Sequence, residues 1–269
     1  MKAWRPLLLL AVAALVLLPL AATVLGGFKT LGELRTQPLA LPDSWQWQNH
    51  AGILASARFW RQLGNSALIT GLTVLLTLAV SALAAFAFVR LRFALARQLL
   101  GYLLLGLLFP AATAVLPLFI RIRDLGLLDS PWGVVLPQVA FGLAAAVLML
   151  RNAFAALPHE LFEAAVLDAC SPWRCFTRLV LPLSRPILAT VAVITAVNSW
   201  NAYLLPLVVL NRESLYPWPL GLMAYQGEFS TDWQLVLAFV TLTLLPLVVL
   251  FLLAQRYIVA GLTAGAVKG

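Results

Sequence analysis

Few side chains in this sequence could carry out covalent or metal chemistry. The cysteines are Cys170 and Cys175, and the histidines are His50 and His159. No second cysteine pair or neighbouring histidine completes a zinc-type spacing, and the cysteines do not form the pattern of a disulfide framework. No combination of Ser, His and Asp can be drawn that would activate a nucleophile. We therefore expect no catalytic residue and no metal ligand in this chain.

A nucleotide site would need a glycine-rich loop that ends in Gly-Lys followed by Ser or Thr, because the backbone of that loop cradles the phosphates. The lysines are Lys2, Lys29 and Lys268, and none of them follows a glycine. Only Lys29 precedes a threonine, and the residue before it is Phe28. The chain is therefore predicted to bind no ATP and no cofactor of its own.

The composition predicts an all-α integral membrane protein. Hydrophobic residues make up 62% of the chain and charged residues 10%, whereas an average soluble domain has roughly 25% charged residues. A spanning helix needs about 20 apolar residues to cross about 30 Å of hydrocarbon. Stretches of sufficient length without Asp, Glu, Lys or Arg occur at residues 6–28, 62–89, 98–120, 130–150, 186–211 and 233–255. We expect about six transmembrane helices in one membrane domain, residues 1–269, with prolines such as Pro110 kinking them.

The first apolar stretch could alternatively be a signal peptide, because Lys2 and Arg5 precede a core rich in Leu and Ala. Its apolar run is too long for that role, and the glycines at its end offer no clear cleavage site. The sequence therefore favours a retained first helix.

The basic residues predict the orientation of the chain. The net charge is +8, but its 18 Lys and Arg residues form short clusters beside the apolar stretches, which is typical of membrane orientation rather than of nucleic-acid binding. With both termini in the cytoplasm, eleven of these residues lie inside and seven outside. We therefore expect a multi-pass membrane protein with cytoplasmic termini.

A polar segment at residues 153–185 interrupts the apolar chain on the predicted cytoplasmic side. It divides into two short amphipathic helices. Pro158 suits the first position of the first helix. Ser171 can cap the second helix, which is expected to end at Leu181-Pro182.

This loop could lie flat on the membrane, as amphipathic helices often do. Its first helix argues against that position, because it carries acidic residues rather than the Lys and Arg that would face anionic lipid. The small pair Ala164-Ala165 permits close approach of a partner, and Glu163 could meet a partner's arginine. Docking of the helix into a partner's groove fits better.

At these residues the sequence resembles the EAA loop of binding-protein-dependent ABC importer permeases. In that family Glu-Ala-Ala is followed two residues later by Asp-Gly-Ala and further on by Leu-Pro. Matching residues are Glu163, Ala164, Ala165, Asp168, Leu181 and Pro182. Ala169 stands where the family has Gly, and we expect it to resist a left-handed turn; Cys170 replaces Ala. The resemblance implies that the ATPase-coupling residues are Leu161, Phe162, Glu163, Ala164, Ala165, Asp168 and Ala169.

The resemblance continues over nearly the whole chain. Residues 198–206 look like the fifth-span signature of sugar-uptake permeases, and residues 255–269 resemble the C-terminus of the second permease of maltose-type systems. This implies the type I ABC importer permease architecture, a place in the bacterial inner membrane and half of a translocation pathway. The implied partners are a second permease in a heterodimer, two cytoplasmic ATPase subunits that use ATP and Mg, an external solute-binding protein and membrane lipid.

Polar residues inside the fifth stretch could line that pathway, because polar groups within a span are costly unless they face a cavity or another helix. Trp200 could stack on a sugar face. The alternative is that these side chains only hydrogen-bond between helices. The candidate pathway residues are Asn198, Ser199, Trp200, Asn201 and Tyr203.

The resemblance leaves the solute open. An uncharged di- or oligosaccharide is the leading hypothesis, because the candidate pathway carries no charged residue, and a glycerol-phosphate or polyol-type ABC permease is the alternative. An ion-coupled secondary transporter would need intramembrane carboxylates, and the six apolar stretches contain none. A membrane-embedded enzyme would need convergent polar or metal-binding groups at the bilayer surface, and the sequence indicates none.

Overall fold

The computed structural model describes residues 4–91, 93–227 and 230–266, except for the side chains of Arg5, Ala254 and residues 256–266. The regular secondary structure of this part of the chain is helical, apart from one isolated bridge between Gln226 and Thr231. This confirms the predicted all-α class. In chain order the helices are α1 (Trp4–Gly26), α2 (Leu31–Thr36), α3 (Trp47–Ala55), α4 (Ala57–Arg90), α5 (Ala96–Leu105), α6 (Val115–Asp124), α7 (Pro131–Ala155), α8 (His159–Leu167), α9 (Pro172–Cys175), α10 (Leu181–Leu183), α11 (Arg185–Trp200), α12 (Leu204–Val209), α13 (Trp218–Gly221) and α14 (Trp233–Ala266).

Some of these helices are long and apolar enough to cross a bilayer. The described chain has four of them, and up to six spans if each of two bent helix pairs crosses once, in agreement with the prediction of about six. The four straight spans are Pro6–Gly26, Ala57–Arg90, Pro131–Ala155 and Trp233–Leu253. The bent pairs are Ala96–Leu108 with Ala111–Asp124, and Pro172–Leu183 with Arg185–Trp200.

The third predicted span, 98–120, breaks at Pro110, where the sequence predicts a kink. The chain bends by 92° between the two helices of this region. Pro110 explains the bend, because proline has no N–H to donate and its ring drives the preceding residue out of the helical conformation. Phe109 is accordingly extended, with φ −94° and ψ 114°.

The fifth predicted span, 186–211, is also interrupted. Helix α11 ends at Trp200, and α12 begins at Leu204 after an unwound segment. In a continuous helix the ring of Pro206 would collide with the carbonyl group of Ala202, whereas proline is tolerated in the first turn of a new helix.

The second helix of the polar loop does not end at Leu181-Pro182 as predicted. Pro172–Leu183 runs on past the proline and turns by 77° into α11. Its middle, Phe176–Val180, is π-helical, and the Leu181 N–H donates to the carbonyl of Phe176, five residues back. This wider turn changes the hydrogen-bond register just before the proline, which explains how the helix continues through it.

The chain forms two compact units. Unit 1 takes the described residues of Met1–Gly64 with Tyr216–Val248, and unit 2 takes those of Asn65–Leu215 with Val249–Gly269. In unit 1, Phe239 packs against the rings of Phe59, Trp218 and Tyr225. The core of unit 2 is built by α4, α7, the polar loop and α11, through Ala82, Ala85, Phe86, Ala146, Leu150, Phe154, Phe162, Phe176, Val180 and Val191.

Candidate functional site

Unit 2 contains a cavity of about 490 Å³. This volume lies within the range of about 300–1,000 Å³ that is typical of small-molecule sites. Most of the wall is aliphatic, and none of the described residues that form it is charged. The polar side chains in the wall are Thr73, Gln138, Thr195, Asn198, Ser199 and Tyr203.

The bend at Pro110 and the unwound segment after α11 both lie at this cavity. Ala111 and Ala112, directly after the bend at Pro110, form part of the wall, as do Ala202 and Tyr203 from the unwound segment after α11. Irregular backbone within a membrane segment is tolerated where it lines a cavity or is covered by protein, because its free N–H and C=O groups need partners. These two breaks therefore help to shape the wall of the cavity.

A hydrogen-bonded group of three polar residues connects three helices at the wall. The side-chain oxygen of Gln138 on α7 accepts hydrogen bonds from the hydroxyl of Thr73 on α4, at 3.1 Å, and from that of Ser199 on α11, at 2.6 Å. Gly142, one turn along α7, faces Thr77 of α4, and a Cβ there would lie 3.8 Å from the threonine methyl group. The contact between α4 and α7 at this level therefore rests on the hydrogen bond of Thr73 and on ordinary van der Waals packing at Gly142.

The predicted pathway residues divide into two groups. Asn198, Ser199 and Tyr203 line the cavity. Trp200 is only 6% exposed, so little of its ring is open to a solute. Asn201 uses its side-chain N–H to bond the carbonyl of Val197, which helps to end α11. Their contact with a solute stays a prediction.

Sequence reasoning missed Thr73, Gln138 and Thr195 as wall residues. Gln138 carried a signal, because it is the one amide side chain in the fourth apolar stretch, 130–150. Thr73 and Thr195 carried none, since threonine is common inside membrane helices, where its hydroxyl can bond its own backbone.

Helix α8 holds Glu163, Ala164 and Ala165 of the EAA pattern, and it ends in a Schellman motif. The Cys170 N–H donates to the carbonyl of Ala165 at 2.9 Å, and the Ala169 N–H donates to that of Val166 at 3.0 Å. This ending requires a left-handed residue, and Ala169 adopts it with φ +50°. The expectation that alanine would resist a left-handed turn is therefore wrong. The backbone at Ala169 takes the left-handed conformation that also suits glycine.

The side chains of α8 point in two directions. Glu163, Ala164 and Asp168 are exposed, Leu161 is 37% exposed and Ala165 is half-buried. Phe162 is only 9% exposed and belongs to the core of unit 2. Most of Phe162 therefore packs inside this chain, although the sequence analysis assigned it to a partner's groove; the coupling role of these residues stays a prediction.

The chain matches the family described as "binding-protein-dependent transport system inner membrane component" over residues 77–264. It is 30% identical to a diacetylchitobiose uptake system permease of Streptomyces coelicolor, over 97% of this chain and 87% of the relative. It is 32% identical to an arabino-oligosaccharide transport system permease of Halalkalibacterium halodurans, over 96% and 93%. An sn-glycerol-3-phosphate transport system permease of Escherichia coli is 39% identical over 80% and 76%.

A solved structure shares the fold. A chain of a bacterial ABC transporter involved in import of the acidic polysaccharide alginate superposes with a TM-score of 0.83 at 21% identity, covering 96% of this chain and 98% of that one. The family match covers more than half of the chain and confirms the resemblance that begins at the EAA pattern. The chain therefore belongs to the binding-protein-dependent transport system inner membrane components.

Proposed function

We propose that this chain is the permease subunit of an ATP-driven importer of neutral di- or oligosaccharides. The cavity is the observation that carries the proposal. Its wall offers amide and hydroxyl groups together with apolar surface, and none of its described residues is charged. A sugar needs hydrogen-bond partners for its hydroxyl groups and an apolar surface for its C–H faces. Relatives named for diacetylchitobiose and arabino-oligosaccharides support this class of solute.

A glycerol-phosphate or polyol-phosphate solute is the second candidate, because an sn-glycerol-3-phosphate permease is 39% identical to this chain. Phosphate recognition relies on arginine, lysine or clusters of backbone N–H groups. The described wall of the cavity has no basic side chain, which favours the neutral sugar.

Transport of this kind needs partners that supply energy and complete the path. The proposed assembly contains a second permease in a heterodimer, two cytoplasmic ATPase subunits that use ATP and Mg, and an external solute-binding protein. The exposed side of α8, with Glu163 and Ala164, would dock into the ATPase subunit. ATP binding would draw the ATPase subunits together and rock the permeases between inward-open and outward-open states.

Reconstitution into proteoliposomes with these partners tests the proposal. We expect uptake of at least one neutral di- or oligosaccharide from a panel, dependent on ATP and on the binding protein. Glu163→Lys and Ala164→Trp should abolish uptake while the protein still inserts. Glu160→Lys, the same charge reversal on an exposed residue of the same helix, is the matched control and should retain it. Normal uptake by the Glu163 and Ala164 variants, with the ATPase still bound, would contradict the coupling role.

The proposed orientation places both termini and the polar loop in the cytoplasm. Cys170 and Cys175 are free, half-exposed thiols in that loop. A membrane-impermeant maleimide should therefore label them in inside-out vesicles and leave them unlabelled in right-side-out vesicles. Labelling only in right-side-out vesicles would contradict the proposed orientation and place the loop outside.

A further inference from the structure

Gln138 stands in the cavity wall where three helices meet. The hydroxyls of Thr73 and Ser199 both bond one end of its amide, and all three residues line the cavity. Because these hydroxyls come from α4 and α11, two other helices hold the amide oxygen of Gln138. Such convergence fixes the orientation of a flexible side chain.

The other end of the same amide has no partner. Its Nε2 atom is buried and makes no hydrogen bond with the residues that the structure describes. Exchanging the amide oxygen and nitrogen would not change this result, because hydroxyls can donate or accept and would still occupy the same end. A buried polar group without a partner destabilises a protein, above all in an apolar membrane segment. The free end of the amide therefore lacks a partner among the described residues, and a solute hydroxyl group would supply one where the wall opens around this buried nitrogen.

The surroundings of Gln138 limit the chemistry of that ligand. The described wall provides no charge to pair with an ion. A hydroxyl group both donates and accepts, so it can bond whichever end of the amide is free. Asn198 and Tyr203 are exposed in the same cavity and offer further polar contacts, while the ring of Phe141, 38% exposed, offers a flat apolar surface.

We infer that Gln138 is a hydrogen-bonding contact for an uncharged, polyhydroxylated solute in this cavity, with Thr73 and Ser199 as the residues that position its amide. The inference rests on the proposed function and adds a specificity-determining residue to it. It assigns part of the solute selectivity to this permease in addition to the binding protein.

Uptake by the full reconstituted assembly, measured for several neutral sugars with one unchanged binding protein, tests the inference. Gln138→Leu keeps the approximate volume and removes the amide, so it should lower uptake about tenfold and change the ratio of rates between sugars. Thr73→Val and Ser199→Ala should change that ratio in the same direction to a smaller extent. Thr190→Val is the matched control, because Thr190 is a buried hydroxyl of α11 that bonds the carbonyl of Pro186 and is not in the cavity wall.

The expected pattern is an altered sugar ratio with unchanged melting temperature and unchanged ATP hydrolysis stimulated by the binding protein. Two results would overturn the inference. The first is a Gln138→Leu assembly with wild-type uptake rates and the wild-type ratio between sugars. The second is a parallel loss of stability, ATP hydrolysis and uptake with the ratio between sugars preserved, which would show that Thr73, Gln138 and Ser199 only hold helices together. A wild-type assembly that takes up no neutral sugar but does take up another solute would instead overturn the proposed function, and this inference with it.

Discussion

The guanidinium group of Arg90 lies over the ring of Phe162, with its carbon 3.0 Å from the ring centroid. Arg90 is the last residue of α4, and Phe162 is the buried residue of α8. Cation–π contacts of this kind are strongest where the cation is partly removed from water. The Phe162 ring also packs in the core of unit 2 with residues of α4, α7 and the π-helical segment. Phe162 therefore connects α8 directly to a spanning helix.

Loss of the Phe162 ring should loosen this connection. We expect Phe162→Ala to lower the stability of the purified protein by about 3 kcal/mol, because it removes a large side chain from a packed core. In the reconstituted assembly, sugar transported per ATP hydrolysed should also fall. Thermal unfolding and paired measurements of uptake and hydrolysis check both effects.

Two controls separate the packing of Phe162 from its contact with Arg90. Arg90→Met keeps an apolar stem and loses the cation, so it should cost only about 1 kcal/mol. Leu167→Ala removes a side chain from the same helix that is 87% exposed, and it should leave the melting temperature unchanged. Equal destabilisation by Leu167→Ala and Phe162→Ala would contradict this account of the core.

Ala169 is held in a conformation that suits glycine. A left-handed residue other than glycine costs about 1–2 kcal/mol, so Ala169→Gly should stabilise the end of α8 by about 1 kcal/mol after the greater freedom of glycine in the unfolded chain is counted. Hydrogen exchange at the Ala169 and Cys170 amides, which bond the last turn of α8, should slow about fivefold. Ala164→Gly, in the middle of the helix, should speed exchange because glycine weakens a helix interior. Faster exchange in Ala169→Gly would contradict the prediction.

The sequence predicted the helices that are continuous and apolar more reliably than the places where they break. The stretches that became α1, α4, α7 and α14 could be identified because each is long enough to span and carries no charge across its centre. Pro110 was expected to kink its helix, but the size of the bend depends on tertiary packing. Residues 186–211, which include Pro206, looked like one span, because hydrophobicity does not report the direction of the backbone.

The candidate site was predictable only in part. Polarity within the fifth stretch pointed to Asn198, Ser199 and Tyr203, which do line the cavity. The partner of Ser199 is 61 residues away in sequence, at Gln138, and no local pattern connects the two. Likewise, the amphipathic pattern of α8 could not tell that Phe162 turns towards Arg90, because both an internal core and a partner's groove select apolar residues.

We expect His50 to make the stability of unit 1 dependent on pH. It is 8% exposed, stacks on Phe28 with ring centroids 4.2 Å apart, and has no hydrogen-bond partner for either ring nitrogen among the described residues. Burial lowers the pKa of His50 below its usual 6.5. The unfolded chain therefore binds the proton more readily, so the contribution of neutral His50 is complete above pH 6.5 and is lost as the pH falls below it.

His50→Phe keeps a ring against Phe28 and cannot be protonated. Thermal unfolding of the variant and the wild type should be compared at about pH 7.5 and about pH 5.5. The wild type should lose more stability than the variant across this interval. Equal losses would show that His50 stays paired or hydrated in the folded protein.

Gly27 lies directly against the backbone of α14 in unit 1. We expect its replacement to be among the most damaging small changes in the chain. A Cβ at this position would lie 2.8 Å from the Cα of Ala238 and 3.0 Å from its backbone nitrogen. Backbone atoms of α14 cannot rotate away as a side chain could, so we expect Gly27→Ala to destabilise the protein by about 2 kcal/mol. Gly52→Ala is the matched control in the same unit, because a Cβ there meets nothing within 4 Å and alanine favours the helix. In thermal unfolding, the melting temperature of Gly52→Ala should therefore lie at or above that of the wild type, and that of Gly27→Ala well below it. Equal melting temperatures for the two variants would show that α14 can move away from Gly27.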